Sequence, residues 1–343
     1  MQSLTPFSRP VGSVRSGKKK KRMREKRDKK ERDRYSSVEG QSPSYSQQRT
    51  QFTQYMINPF LYNPAVSGTE DYADIRAGYR KQWVGFEGSP RSIFISGHTN
   101  IGKYHVVNNR SKNKKKGFHG VGLVLTNDLI GPTSFTTAKF AYSYHIQLAK
   151  KVFASLGAMA GIQQFSLDGS LLNPASGSDA AISGTASRSL ADVNVGGWLY
   201  SDNFYMGATL VQVVPQKLYG KTATNIGKSA YHYMVTAGYR IPLDYDFTFI
   251  PSVAIKAVSP APISYDINAK IRYQDLGWVG ISYRRTDAVA FMAGVIINDM
   301  FDLSYSYDVT ASNIRKYSGG SHEVIIGYRL RTKPQVKCPT HFW

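Results

Sequence analysis

Residues 263–274 read ISYDINAKIRYQ. Ile263, Tyr265, Ile267, Ala269, Ile271 and Tyr273 alternate with Ser264, Asp266, Asn268, Lys270, Arg272 and Gln274. A helix would scatter those charges round its circumference; a strand sets them all on one side. Phe301–Asp308 repeats the pattern. Phe301, Leu303, Tyr305 and Tyr307 share one face; Asp302, Ser304, Ser306 and Asp308 share the other. Both stretches are amphipathic strands, and their apolar faces need a cover.

Working outward, a period of two recurs over 73–80, 92–98, 119–126, 134–148, 152–168, 192–200, 204–213, 230–240, 246–258, 276–283, 288–297 and 322–330. With the two quoted stretches that makes fourteen candidate strands, an even number. No apolar run approaches the ~18 residues that a membrane-spanning helix needs, which excludes a helical membrane protein. It does not exclude a barrel, whose strands alternate and never build such a run.

The connections carry more information. Ser201-Asp202-Asn203, Gln274-Asp275 and Asn298-Asp299-Met300 are tight turns, and Pro242 suits the turn near 241–244. Alternate connections are longer, roughly 169–191, 214–229 and 310–321. Short turns on one rim and long loops on the other describe an outer-membrane barrel. The exception is 99–118, a long, basic connection on the short-turn rim that carries Lys114, Lys115 and Lys116. Aromatic side chains cluster at strand ends: Tyr79, Trp83, Tyr200, Phe204, Tyr231, Tyr239, Tyr273, Trp278, Tyr283 and Tyr328. Such rings prefer the headgroup zone. The polar residues Asp266, Asn268, Lys270, Arg272 and Asp302 then face a wet lumen. A soluble β-sandwich is the competing fold, since a solvent-facing sheet shows the same alternation.

The chain has 343 residues, one cysteine and a formal net charge of +21. A lone cysteine excludes an intramolecular disulfide framework and multi-cysteine metal sites. Residues 1–40 hold fourteen basic and five acidic side chains and almost no large apolar ones. Such a tail cannot offset its ordering entropy and reads as disordered. It also lacks the apolar stretch of a secretory signal. Its charge alone would suit nucleic acid or anionic lipid. No zinc-finger, helix-turn-helix or RNA-recognition pattern accompanies it, so no nucleic-acid partner is expected.

The segment before the first strand contains Gln51-Phe52-Thr53-Gln54-Tyr55-Met56, then Asn58-Pro59, Tyr62-Asn63-Pro64-Ala65 and Gly68. Gln82-Trp83-Val84-Gly85-Phe86 follows the first strand, with Gly88 and Pro90 after it. This block resembles the PorP/SprF family of outer-membrane proteins, found in Bacteroidetes and tied to type IX secretion and gliding motility. The ending Cys338-Pro339 with Phe342-Trp343 is similar too. The resemblance spans roughly residues 50–343, with specific motifs in the first fifty and barrel pattern in the rest. It implies a non-enzymatic barrel in the cell outer membrane. Its partners would be outer-membrane lipid, secretion machinery subunits and secreted cargo such as gliding adhesins. Family members ordinarily carry a signal peptide just before this block. Here the basic tail stands in its place, and a misassigned start codon is the expected reason.

Read physically, Asn58-Pro59 and Asn63-Pro64 force extended or turn geometry before each proline. Residues 41–72 are therefore either a short, stiff, apolar plug inside the barrel or an ordinary leading loop. Catalytic patterns are missing. The seven histidines show no metal-ligand spacing. Gly220-Lys221-Thr222 mimics the end of a phosphate loop, but Pro215 stands where its first glycine should be. No cofactor is implied.

The expected architecture is all-β: an up-and-down antiparallel transmembrane β-barrel of about fourteen strands. It comprises a disordered basic tail (1–40), an extended segment (41–72), the barrel (73–330) and a periplasmic tail (331–343). A passive outer-membrane pore or small-molecule transporter is the alternative function, with the lumen residues setting selectivity.

Overall fold

The computed structural model describes residues 52–103, 117–171, 185–214, 231–258, 261–285, 287–298, 300–311, 315 and 318–330. The basic tail, Lys114, Lys115, Lys116, Cys338 and the segment 331–343 lie outside the described residues.

Fourteen antiparallel strands form one closed sheet. They are β1 (Ala73–Lys81), β2 (Arg91–Ile101), β3 (Gly117–Ile130), β4 (Thr133–Ala149), β5 (Val152–Asp168), β6 (Thr185–Tyr200) and β7 (Phe204–Val211). The second half comprises β8 (His232–Tyr239), β9 (Phe247–Val258), β10 (Ser264–Tyr273), β11 (Gly277–Arg284), β12 (Ala288–Ile297), β13 (Phe301–Thr310) and β14 (Ser321–Leu330). A two-residue strand, Ile241–Pro242, pairs with the start of β9. Each strand pairs with its neighbours in sequence, and β14 closes on β1 from Ala73↔Leu330 to Lys81↔His322. Closing β14 on β1 removes the two free edges of an open sheet, which lipid, with no hydrogen bonds to offer, could not satisfy.

The alternation seen in the sequence becomes inside and outside. On β10, Ile267 is 52% exposed and Asn268 2%. The outward residues Ile271, Tyr273, Phe291, Leu303 and Tyr305 are likewise exposed, whereas Lys270, Arg272, Asp302 and Ser304 are buried. An apolar outer belt with a polar interior suits a membrane on one side of the wall.

Several boundaries differ from the sequence reading. β6 starts at Thr185, because its ladder with β5 continues to Asp168↔Thr185, so the connection is 169–184. β7 ends at Val211, where Gln212 turns left-handed at φ 59°. The aromatic belt is also less complete than expected. Tyr200 and Trp278 are buried inward, at 9% and 7% exposure. Trp278 has room there because Gly294, its ladder neighbour, has no side chain to block the indole.

Ala73 and Leu330 share one rim, here the lower one. β1 rises from it, so 82–90, 169–184, 212–231 and 311–320 join strands at the upper rim. The tight turns 150–151, 201–203, 274–276 and 298–300 join them at the lower rim, together with the longer 102–116.

Candidate functional site

The interior is not open space. Residues 52–72 run through it. Two short 3-10 turns, Pro59–Leu61 and Pro64–Val66, give the segment its shape. Each begins with proline, whose fixed φ and missing N–H suit a first helical position. Asn58 (φ −136°) and Asn63 (φ −111°) precede them in non-helical conformations, as the proline ring demands.

The segment begins near the upper rim. Thr53 N donates to Glu323 Oε2 at 2.8 Å and Gln54 N to Glu323 Oε1 at 3.0 Å. Thr53 Oγ1 donates to Asp308 Oδ2 at 2.6 Å and accepts from Arg80 Nη1 at 2.6 Å. Arg80 also pairs with Asp308 at 2.7 Å and Glu323 at 3.0 Å. Arg284 reaches Thr53 Oγ1 at 3.4 Å and Asp266 at 3.6 Å, and Lys256 pairs with Asp266 at 2.6 Å. Arg80, Asp308, Glu323 and Arg284 each lie within three residues of the upper end of their strands. Lower down, Asn268 Nδ2 donates to the Tyr55 hydroxyl, and Asn58 Nδ2 donates to Ser96 Oγ at 2.7 Å.

Towards the lower rim the segment lies against the wall itself. Asn63 Nδ2 donates to the Gly197 carbonyl at 3.0 Å. Ser155 Oγ donates to the Ala65 carbonyl and His145 Nε2 to the Ser67 carbonyl, both at 2.7 Å. Gly68 N donates to His98 Nδ1 at 3.2 Å, and Asn100 Nδ2 to the Glu70 carbonyl at 2.6 Å. Glycines make this approach possible. A Cβ on Gly157 would meet Ala65 N at 2.6 Å and Pro64 C at 2.7 Å; one on Gly120 would collide with Ser67 O. The wall drops its side chains where the segment's backbone arrives.

Apolar packing completes the fit. Phe60, Leu61, Ala65 and Val66 join Phe94, Val124, Ala141, Met159, Trp198 and Tyr205. Tyr55, Met56 and Ile57 pack on Met234, Ala254, Trp278 and Met292. Burial holds the Tyr55 and Tyr62 phenols well above their ordinary pKa. The expected wet lumen is therefore occupied by protein.

The residues singled out from sequence are placed as follows. Gln54, Tyr55, Met56, Asn58, Pro59, Tyr62, Asn63, Pro64 and Gly68 all belong to the segment in the interior. Gln82, Trp83, Gly85 and Phe86 lie apart from them, in the upper connection between β1 and β2. Phe86 is 53% exposed there, and Trp83 takes a strained φ of 48° while its backbone N–H donates to Ser321 Oγ at 3.2 Å. Asn268 meets the segment directly. Lys270 stacks over Trp278, 5.4 Å from its centroid, and Arg272 reaches Asp275 at 3.6 Å. Asp266 and Asp302 do not pair with each other; Asp302 faces Arg76 at 3.3 Å and Arg329 at 2.9 Å.

Sequence reasoning missed Arg76, Arg80, Lys256, Arg284 and Glu323, which bind the inward acids or the segment. Their signal was present: each sits at an inward position of its strand. Among the described residues no group of three or more His, Cys, Asp or Glu side chains could hold a metal ion.

These features define a class: an outer-membrane-type β-barrel whose interior is filled by its own leading segment. A model of the family described as type IX secretion system membrane protein PorP/SprF matches residues 44–328. The chain belongs to that family. A search of curated proteins finds no match. Among solved structures, the Pseudomonas putida toluene transporter TodX is 12% identical (TM-score 0.46), covering 84% of this chain and 96% of its own. A Pseudomonas aeruginosa FadL homologue is 8% identical (TM-score 0.46), covering 80% and 93%. The CymD monoaromatic hydrocarbon channel is 11% identical (TM-score 0.47), covering 83% and 94%.

Proposed function

We propose that this chain is a non-enzymatic outer-membrane component of type IX secretion, a closed scaffold that helps export or surface-anchor cargo such as gliding adhesins. Family membership supports the secretion role. The observation that carries the scaffold reading is the segment 52–72, which fills the interior and is hydrogen-bonded to it at both ends. In this reading the upper rim, with connections 169–184, 212–231 and 311–320, faces outward and takes cargo. The lower rim faces the periplasmic machinery. Lys114, Lys115 and Lys116 are then positioned for acidic groups on a machinery subunit, in contacts weakened by salt. Outer-membrane lipid covers the apolar belt.

Affinity purification from native outer membranes tests the proposal. Secretion subunits or secreted proteins are expected among the co-purifying species. Recovery of lipid alone, together with free solute flux through the reconstituted protein, would favour a passive pore instead.

A further inference from the structure

The interior segment is held in two different ways. Residues 63–68 lie backbone-to-backbone on glycines of the wall and continue into β1, so they have little freedom to shift. Residues 53–57 are held by side chains. Tyr55, Met56 and Ile57 rest on Met234 and Met292, flexible thioethers that repack readily. Thr53 and Gln54 sit in the Arg80–Asp308–Glu323 clamp.

That clamp is also complete without them. Arg80 reaches Asp308 and Glu323 directly, at 2.7 and 3.0 Å, so withdrawing Thr53 strands no buried charge. Beside it, the inward row of β13 is polar from rim to rim: Asp302, Ser304, Ser306, Asp308 and Thr310. The Ser304 and Ser306 hydroxyls are buried, at 2% and 0% exposure, and find no hydrogen-bond partner among the described residues. A permanently filled barrel gains nothing from unpaired hydroxyls, whereas a wall that meets water does.

The geometry points to residues 53–57 as a displaceable gate. Releasing Thr53 and Gln54 from the clamp opens a narrow polar passage along β13 to small hydrophilic solutes, while residues 58–72 stay seated. This inference rests on the reading that the segment closes the barrel at rest.

The test is sugar flux into proteoliposomes. Wild type and Ile267→Val, altered on the outward face of the wall, are expected to be equally tight. Thr53→Val combined with Glu323→Gln weakens the hold on the gate, and flux is expected to rise by about tenfold. An unheated gel shift reports that each barrel is folded. A folded double variant as tight as wild type overturns the gate. Should the double variant not fold, Thr53→Val alone decides, in a Cys338→Ser background carrying Ser306→Cys. Labelling of that cysteine by a water-soluble thiol reagent supports the gate, and protection equal to the Thr53 parent overturns it. Co-purification with secretion partners is read separately, so a permanently closed barrel leaves the scaffold role standing.

Discussion

At the scale of single residues, Arg80 carries the upper half of the interior. Its guanidinium forks to two acids and a hydroxyl, which a lysine's single ammonium cannot reproduce. Arg80→Ala leaves Asp308 and Glu323 buried without that cation and is expected to cost about 3–5 kcal/mol. A lowered denaturant midpoint of the gel-shifted form reads this, and a change within error contradicts it. Glycines give a paired comparison. Gly157→Val pushes a branched side chain into Pro64 and Ala65 and should cost about 1–3 kcal/mol or more by overpacking. Gly197→Ala faces outward, where its Cβ would meet Leu156 at an ordinary 3.5 Å, and should be near neutral. Alkali gives a third test. Burial raises the Tyr55 and Tyr62 phenols in the folded state, so folded protein holds their protons when unfolded chain has begun to lose them near pH 10. Their contribution to stability is therefore intact below about pH 10 and falls as pH rises above it. Replacing both by Phe should flatten that fall in a pH series of unfolding midpoints.

At the scale of elements, strands and the interior segment differ in how openly they announce themselves. A strand with lipid outside and polar groups inside writes its period into every second residue, so β10 and β13 were legible from their own sequences. Ladder lengths were not, because the upper half of β6 pairs only with β5 and lacks a β7 partner to sharpen its end. For the segment, the prolines specified turns but not their destination. Whether Pro59 and Pro64 lie in a loop or a lumen depends on partners such as Ser96, Gly157 and Gly197, far along the chain. Pro64→Ala keeps the contacts but frees the unfolded chain, and a cost of about 0.4–1 kcal/mol is expected. A larger loss would mean that the ring itself is needed for packing on β5.

At the scale of the whole molecule, period, even strand number and asymmetric connections favoured a closed barrel over a sandwich. The state of its interior did not follow from them. Asp266, Lys270 and Arg272 are the side chains a water-filled channel would show, yet they are equally at home in a dry interior when ion pairs, aromatic faces and amides surround them. The contacts that decide the matter are long-range; Thr53 and Asp308 lie 255 positions apart. No local pattern encodes such a meeting. A thiol-accessibility scan along β10 in the Cys338→Ser background tests it most directly, with single cysteines at Ile267, Asn268, Lys270 and Ile271. Thiols at 267 and 271 should react with a lipid-soluble reagent and not with a water-soluble one, and thiols at 268 and 270 should resist both until the protein unfolds. Rapid modification of 268 and 270 by the water-soluble reagent would contradict the filled barrel, and protection of 267 and 271 from the lipid-soluble one would contradict the membrane wall.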